Sequence, residues 1–212
     1  MHLSLIRPFS ALDLFEFNAI NLDLWTETYG VNYYLSYLTH WGDLFSVVES
    51  AGGAGKVNML STSGGGSSSA GGFGGGEGGG LMGYVMGKTE GRGTDWHGHV
   101  SAITVSPSHR RLGLASTMMD LLEKVSERDE GYFVDLFVRQ SNDLAIGLYK
   151  SLGYMLYRRV RGYYGGGPGE KDEDAFDMRK PLPGDVNKQS IQLPGGATDG
   201  RNVIVEPEEV VF

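Results

Sequence analysis

The spacing of apolar residues switches along the chain between a period of two, typical of strands, and a period near 3.6, typical of helices. In the amino-terminal half it predicts strands over residues 3–7, 44–49 and 81–90. It also predicts a helix that begins at Ser10, with Asp13 placed for a capping box, and a second helix over residues 32–40. Within the first helix, the α-helical period puts Leu12, Phe15 and Ala19 on one apolar face.

The second half of the chain alternates strands and helices more regularly. Strands are predicted over 98–105, 132–139 and 154–160, with a short final strand over 176–180. Helices are predicted over 111–128 and 142–152, the latter ending with Gly153 in the C′ position. Because helices follow the central strands one by one, part of the sheet should be parallel, while the hairpins before them make it mixed. The expected fold class is therefore α/β, a partly parallel central sheet flanked by helices.

A glycine-rich segment interrupts this pattern. Residues 52–80 contain 14 of the chain's 34 glycines and five serines, which is too little apolar surface to offset the entropy of ordering. We interpret the segment as a flexible insertion within one domain that spans residues 1–181. Residues 182–212 carry prolines, glycines and scattered polar residues, and are expected to form an irregular tail.

Composition and charge exclude several classes of function. The 212-residue chain has 18 basic and 26 acidic residues, and its net charge of -8 disfavours sequence-independent binding to nucleic acid. It has no cysteine and five scattered histidines, so no disulfide, no cysteine nucleophile and no metal site is expected. We found neither the apolar core of a signal peptide nor about 18 consecutive apolar residues, so the expected location is the cytosol, without membrane contact.

The stretch from Thr104 to Ala115 carries the clearest chemical signal. A strand runs into a turn and then an amphipathic helix, and Arg110, Gly113 and Ala115 form the pattern R-x-x-G-x-A. The amides of a first helical turn lack intrahelical partners, and with the helix dipole they bind anions. Arg110 and Arg111 add positive charge. The pattern indicates a pyrophosphate cradle, the alternative being an ordinary helix start; it matches neither a Walker motif nor a dinucleotide fingerprint.

This arrangement, together with a later block from Asn142 to Tyr149 and Leu152-Gly153-Tyr154, resembles the acetyl-CoA site of GNAT acetyltransferases. The resemblance implies that acetyl-CoA is the cofactor. It implies that Tyr149 is the general acid for the departing thiolate and that Asn142 holds a water or the cofactor amide, unless Asn142 is only a helix cap. The residues it assigns to acetyl-CoA are Ile103, Thr104, Val105, Arg110, Arg111, Leu112, Gly113, Leu114, Ala115, Asn142 and Tyr149.

Longer strings narrow the resemblance to catalytic subunits of N-terminal acetyltransferases of the NatB type. They are T-E-T-Y-G from Thr26, W-H-G-H-V from Trp96, V-D-L-F-V-R from Val134, and Tyr163-Tyr164 followed by D-A-F-D-M-R-K from Asp174. The insertion, Trp25, Gly162 and the chain beyond Leu193 depart from the family pattern. The resemblance implies nascent chains that begin Met-Asp, Met-Glu, Met-Asn or Met-Gln as substrates. It also implies a large auxiliary subunit that contacts the ribosome.

The same resemblance assigns a peptide site to residues far apart in the sequence. Glu27, Tyr29 and Gly30 should form one wall of the site, and Tyr163 and Tyr164 the other. Tyr29 and His99 should read the second residue of the substrate, and His99 is also a catalytic candidate that could relay a proton. The full substrate-binding set is Glu27, Tyr29, Gly30, His99, Ser101, Tyr163 and Tyr164.

Two questions stay open from the sequence. His97 lies two residues from His99 and so faces the same side of the strand, which leaves the choice between them undecided. A free α-amine has a pKa of about 7.7–8.0 and needs no strong base, but a GNAT enzyme for lysine side chains or a small amine, or a non-catalytic acyl-CoA-binding module, remain alternatives.

Overall fold

The structure, a computed structural model, describes residues 4–21, 26–50, 80–166, 169 and 171–210. Trp25 and residues 51–79, almost the whole glycine-rich insertion, lie outside this range. The described strands are β1 (Ser4–Pro8), β2 (Phe45–Ser50), β3 (Leu81–Glu90), β4 (His97–Val105), β5 (Phe133–Arg139), β6 (Met155–Tyr164), β7 (Glu173–Pro181) and β8 (Ile204–Val205). The α-helices are α1 (Val31–Trp41), α2 (Leu114–Arg128) and α3 (Asp143–Ser151).

The eight strands form one mixed sheet in the order β1-β2-β3-β4-β5-β7-β6-β8. β1 to β4 are antiparallel neighbours, β4 and β5 are parallel, and β7 pairs antiparallel with both β5 and β6. The mixed, partly parallel sheet predicted from the sequence is confirmed. The predicted final strand is longer than expected, and Gly153 follows α3 with φ of 92°, as a C′ glycine does.

Helices cover both faces of the sheet, and each face has its own hydrophobic core. On one face α2 and α3 contribute Met118, Leu122 and Ile146 to a cluster with alternate residues of the central strands. On the other face Phe17 and Tyr34 pack with Phe45 and Tyr84, in part by ring stacking. The polar site described below opens on this second face and at the carboxyl end of β4.

The first predicted helix differs from expectation. Residues Ala11–Ala19 form a 3-10 helix, and Asp13 accepts a hydrogen bond from the Ser10 amide at 2.7 Å, as the predicted cap requires. Leu12 and Phe15, however, are 73% and 84% exposed, while Phe17 and Ile20 are buried. Leu12 and Phe15 therefore share a face as predicted, but that face is exposed, and with three residues per turn Ala19 does not continue it. The side chain of Ala19 lies outside the described part.

The segment after Pro181 is more ordered than the irregular tail that we expected. Its longest regular elements are three-residue 3-10 turns, but β8 pairs in parallel with β6, and Leu193 and Val210 are buried. A Cβ on Gly200 would lie 1.9 Å from the carbonyl oxygen of Tyr157 in β6. The segment therefore packs tightly against the edge of the sheet.

Candidate functional site

The site begins where β4 and β5 part. Their parallel pairing covers only His97–Val100 and Phe133–Leu136, although β4 continues to Val105 and β5 to Arg139. On the opposite edge of β4 the register shifts, so that Met86 faces Ala102 and Gly87 faces Val100. Ser101 is thus the extra residue of a β-bulge, a feature that bends a strand and ends regular pairing.

Between the separated strand ends lies a groove of about 930 Å³, which we call the β4–β5 groove. One side is lined by β4 and the start of α2, the other by the end of β5 and by α3. The groove brings together most of the residues that the resemblance assigns to acetyl-CoA, namely Ile103, Thr104, Val105, Arg110, Arg111, Gly113, Leu114, Ala115, Asn142 and Tyr149. Leu112 is 51% exposed and is not among the lining residues.

The turn before α2 has the geometry of an anion site. Arg111 and Gly113 both have left-handed backbone conformations, with φ of 66° and 79°. A Cβ on Gly113 would meet no atom within 4 Å, so the space in front of the first turn of α2 is open. Arg110 contacts the carbonyl oxygen of Val105 through Nε at 3.4 Å, which ties the turn back to β4. The turn thus offers open space, helix amides and two cationic side chains at one end of the groove.

Helix α3 supplies the second set of polar groups. Asn142 is its N-cap, and the side-chain oxygen accepts a hydrogen bond from the Ala145 amide at 3.1 Å. The side chain still lines the groove, so capping and a contact with a bound molecule are compatible. Tyr149 is buried, and burial raises the pKa of its phenol to about 12. Its hydroxyl therefore keeps its proton throughout the neutral pH range.

At the end of β5, Arg139 joins three elements. Its guanidinium contacts the Glu27 carboxylate at 2.6 Å and the Glu173 carboxylate at 3.3 Å, and it lies 4.2 Å from the centre of the Tyr164 ring. Glu27 precedes α1, Glu173 begins β7, and Tyr164 ends β6. Arg139 therefore fixes the segment that carries Glu27 to the end of β5.

Four tyrosines form what we call the aromatic wall: Tyr29, Tyr33, Tyr163 and Tyr164. The rings of Tyr29 and Tyr33 stack at 4.4 Å, and Tyr163 stacks on Phe137 at 4.7 Å. Tyr164 donates a hydrogen bond to the Phe137 carbonyl at 3.0 Å.

The tyrosine hydroxyls of the aromatic wall stay protonated at neutral pH. Burial raises the pKa of Tyr163 to about 12, with the charge of Asp135 acting in the same direction. Burial is also the largest cause of the raised pKa of Tyr29, to which Tyr163 contributes. The aromatic wall therefore presents neutral phenols at physiological pH.

Ser101 links the bulge to the aromatic wall. Its carbonyl accepts a hydrogen bond from the Tyr29 hydroxyl at 3.5 Å, and its own hydroxyl lies 2.8 Å from that of Tyr37. Gly30 is the N-cap of α1, and no atom lies within 4 Å of the position that its Cβ would take. Of the residues assigned to the peptide, Glu27, Ser101 and Tyr164 line the groove, whereas Tyr29, Gly30, His99 and Tyr163 are not among its lining residues.

Both histidines of β4 are buried beside the groove, on the face that carries α1. His99 contacts Asp135 through Nδ1 at 2.8 Å, and its ring centre lies 5.7 Å from that of Phe137, a lining residue. His97 stacks on Phe133 at 4.4 Å, with Nδ1 hydrogen-bonded to the Asp95 carbonyl. His97 thus lies toward the closed end of the strand pair, and His99 is the histidine adjacent to the groove.

Sequence reasoning missed two residues that organise the site, Asp135 and Arg139. Both belong to the string V-D-L-F-V-R and lie four residues apart in β5. An acidic and a basic residue on the same face of an otherwise apolar central strand are unusual, because a buried charge requires a partner. That pattern was the available signal, since side chains at positions i and i+4 of a strand point to one face.

Within the described ranges, no group of three or more potential ligand side chains is arranged to hold a metal ion. Across the same residues, none of the helices combines the length and hydropathy that a membrane span requires.

Comparison with known proteins gives consistent results. The model of the acetyltransferase (GNAT) family matches residues 60–154. The N-terminal acetyltransferase B complex catalytic subunit naa20 of Schizosaccharomyces pombe is 51% identical over 206 residues, covering 97% of this chain and 98% of the relative.

Solved structures agree with the sequence relatives. The crystal structure of Chaetomium thermophilum Naa20 in complex with a bisubstrate analogue is 34% identical, with a TM-score of 0.77 and coverage of 98% of this chain and 100% of that chain. A structure of the NatB acetyltransferase complex bound to CoA and MES is 38% identical, with a TM-score of 0.63 and coverage of 84% and 99%. The chain belongs to the family of NatB catalytic subunits, N-α-acetyltransferases within the GNAT superfamily.

Proposed function

We propose that this enzyme transfers acetyl from acetyl-CoA to the α-amine of the initiator methionine in chains that begin Met-Asp, Met-Glu, Met-Asn or Met-Gln. The observation that carries the proposal is the β4–β5 groove, which is lined both by an anion-binding turn before α2 and by the Glu27–Arg139 pair and Tyr164. A donor with a pyrophosphate and an acceptor with a peptide backbone need two such different sets of groups. Tyr149 of α3 lines the same groove.

The residues of the turn before α2 suit a CoA ligand. Acetyl-CoA, when bound, supplies the acetyl group as a thioester. Gly113 leaves open space before the first turn of α2, and the amides there, with Arg110 and Arg111, suit a pyrophosphate. The edge of β4 from Ser101 to Val105 is not paired with β5, so its backbone groups are available to an extended ligand arm. The related NatB structure bound to CoA supports the same assignment.

The chemistry asks little of the protein beyond orientation and one proton donor. The free α-amine is neutral in a useful fraction of molecules near pH 8, so the site has to orient it rather than deprotonate it strongly. As the new C–N bond forms and the C–S bond breaks, Tyr149 donates its phenolic proton to the leaving sulfur, and the proton that the amine loses passes through water and restores the neutral phenol. A pKa of about 12 keeps Tyr149 protonated and ready for that role. Asn142 holds a water or the cofactor amide beside it.

Substrate choice depends on the face that carries α1. Tyr29 and His99 hydrogen-bond the second side chain of the substrate, while Glu27, Gly30, Ser101, Tyr163 and Tyr164 hold its backbone. A site built for a short carboxylate or amide leaves buried polar groups unpaired when the second residue lacks them, which gives strong discrimination. Lysine at that position would also place a cation beside an imidazole.

We propose further that the enzyme works in the cytoplasm as a heterodimer with a large auxiliary subunit, which brings it to the ribosome and its nascent chains. A related structure of the NatB complex supports a partner subunit. On this chain, the exposed Leu12 and Phe15 provide an apolar surface near helix α1, which carries Tyr33 of the aromatic wall. Such a surface is suited to a protein contact.

The decisive experiment measures acetyl transfer to free peptides by the enzyme co-purified with its partner. Peptides beginning Met-Asp and Met-Asn should be acetylated well, and those beginning Met-Lys or Ser-Ser poorly. An α-amine-blocked Met-Asp peptide containing lysine is the control for the lysine and small-amine alternatives. Equal turnover of Met-Lys and Met-Asp would contradict the proposed specificity, and acetyl-CoA binding without any turnover would favour the non-catalytic alternative.

A further inference from the structure

Buried charged groups on one sheet face continue well beyond the two histidines. Asp135 on β5 is opposite His99 on β4 and opposite Arg179 on β7. Asp177 lies on β7 as well, two residues before Arg179. Glu90 on β3 approaches both His97 and His99 at 3.7 Å. Because paired residues of neighbouring strands point to the same face, these side chains form one polar layer under the aromatic wall.

Within this layer the two aspartates divide the hydrogen bonds. Asp135 accepts from His99 Nδ1 at 2.8 Å. Asp177 accepts from Arg158 at 2.8 Å and from both Nε and Nη2 of Arg179, at 3.3 and 3.2 Å. Both aspartates are buried, with exposed fractions of 3% for Asp135 and 0% for Asp177. The arginines are therefore bound mainly to Asp177, and the hydrogen bond of Asp135 is directed to the histidine beside the groove.

The carboxylate of Asp135 is charged in the folded protein. Burial pushes its pKa upward, but the charge and hydrogen bond of His99, aided by His97 and Arg179, outweigh burial and hold the pKa below its usual value. An ionised carboxylate accepts only, so His99 must keep its proton on Nδ1. In the neutral ring, Nε2 is then the nitrogen that accepts a hydrogen bond.

We infer that Asp135 is a positioning residue for substrate choice, which fixes the tautomer of His99 so that Nε2 can serve both acidic and amide second residues. The inference rests on the proposed function of His99. With an asparagine or glutamine substrate, the neutral ring accepts a hydrogen bond from the amide at Nε2. With an aspartate or glutamate substrate, the ring carries a second proton on Nε2 and lies between two carboxylates, and Asp135 supplies the countercharge.

Asp135→Asn separates the charge from the hydrogen bond, because an asparagine oxygen can still accept from Nδ1. The ratio of kcat/KM for Met-Asp over Met-Asn peptides should fall about tenfold, since a charge-assisted hydrogen bond is replaced by an ordinary one. The loss should appear in KM for Met-Asp, with kcat and the KM for acetyl-CoA nearly unchanged. Asp135→Leu removes the acceptor as well and should reduce turnover of both peptides.

Asp177→Asn is the matched control, since it makes the same substitution in the same layer without touching His99. It should lower thermal stability as Asp135→Asn does, but leave the peptide ratio unchanged. In a His99→Gln background, Asp135→Asn should have no further effect on the ratio.

Three results would overturn the inference: an unchanged ratio in Asp135→Asn, an equal change in Asp177→Asn, or a persisting effect in the His99→Gln background. If the variants do not fold, nitrogen NMR of the wild-type enzyme still decides, because an unprotonated Nδ1 in His99 would contradict it. If the wild-type enzyme itself fails to prefer Met-Asp over Met-Lys, the proposed function fails instead, which is a distinguishable outcome.

Discussion

Gly113→Glu should abolish acetyl-CoA binding while the protein stays folded. Gly113 is the N-cap of α2 with φ of 79° and ψ of 3°, a conformation that costs an L-residue about 1–2 kcal/mol. No atom lies within 4 Å of the added Cβ, so backbone strain is the main effect on folding. For a chain of this size, that strain should lower Tm by roughly 2–8 °C.

The effect on binding should be larger, because the new carboxylate occupies the open space where a pyrophosphate would lie. At a separation of about 5 Å and an effective dielectric constant of about 20, each pair of like charges repels by about 3 kcal/mol. That energy corresponds to a loss of affinity of roughly two orders of magnitude. Steric exclusion from the turn before α2 acts in the same direction.

Isothermal titration calorimetry with acetyl-CoA measures the affinity directly, and differential scanning calorimetry measures Tm. Gly93→Glu is the matched control: Gly93 has φ of 59°, its Cβ position is also open, and it lies in the turn between β3 and β4, away from the groove. The control should show the same loss of Tm and unchanged affinity. An affinity within about threefold of wild type in Gly113→Glu, or an equal loss in Gly93→Glu, would refute the reasoning.

Tyr149→Phe should lower kcat by about 10²–10⁴-fold and keep the preference for Met-Asp, because it removes the proton donor and no peptide contact; lost selectivity at normal kcat would contradict the role. In the wild-type enzyme, kcat should show no loss attributable to Tyr149 up to about pH 11, since burial raises the pKa of that phenol to about 12. Replacing residues 51–79 with a short turn should leave acetyl-CoA affinity unchanged, because Glu49 and Leu81 already pair across the β2–β3 hairpin; calorimetry on the deletion variant tests this. Gly200→Ala should lower Tm by several degrees because its Cβ would collide with the Tyr157 carbonyl, whereas Gly165→Ala, with open space around it, should not.

Sequence patterns predicted the sheet well because its strands obey simple rules. Alternation of apolar residues located β3 to β6, and the helices that follow the central strands indicated a partly parallel sheet, whose parallel part includes the pairing of β4 with β5 across α2. Gly153 ended α3 as expected, since its φ of 92° suits glycine. These elements depend on local periodicity and on turn chemistry, both of which can be read from neighbouring residues.

The candidate site was predicted in part. The R-x-x-G-x-A pattern located the turn before α2, because a helix start and its glycine are adjacent in sequence. Asp135 and Arg139 were missed because their roles depend on partners 36 and 112 residues away, His99 and Glu27. Only the assembled sheet shows that these charges are paired.

The amino-terminal helix and the carboxyl-terminal segment show a different limit. An α-helical period was applied to residues 11–19, which adopt a 3-10 helix and expose Phe15. The packing of Gly200 against β6 depends on the absence of a side chain, and a glycine among other polar residues gives no such signal. In both cases tertiary contacts, rather than local preference, determine the result.

The bulge at Ser101 shifts the alternation of side chains between the two faces of the sheet by one residue. Before it, His99 and the residues two apart from it face α1; after it, Ala102 and Thr104 take over that face, and Ile103 and Val105 turn toward α2. Deleting this one residue would restore strict alternation and leave the last four residues of β4 on their present faces, but it would remove the bend and the contacts of residue 101 with Tyr29 and Tyr37. A single residue of β4 thus provides a bend and two contacts of the site, whereas the neighbouring β2–β3 connection accommodates an insertion of almost thirty residues.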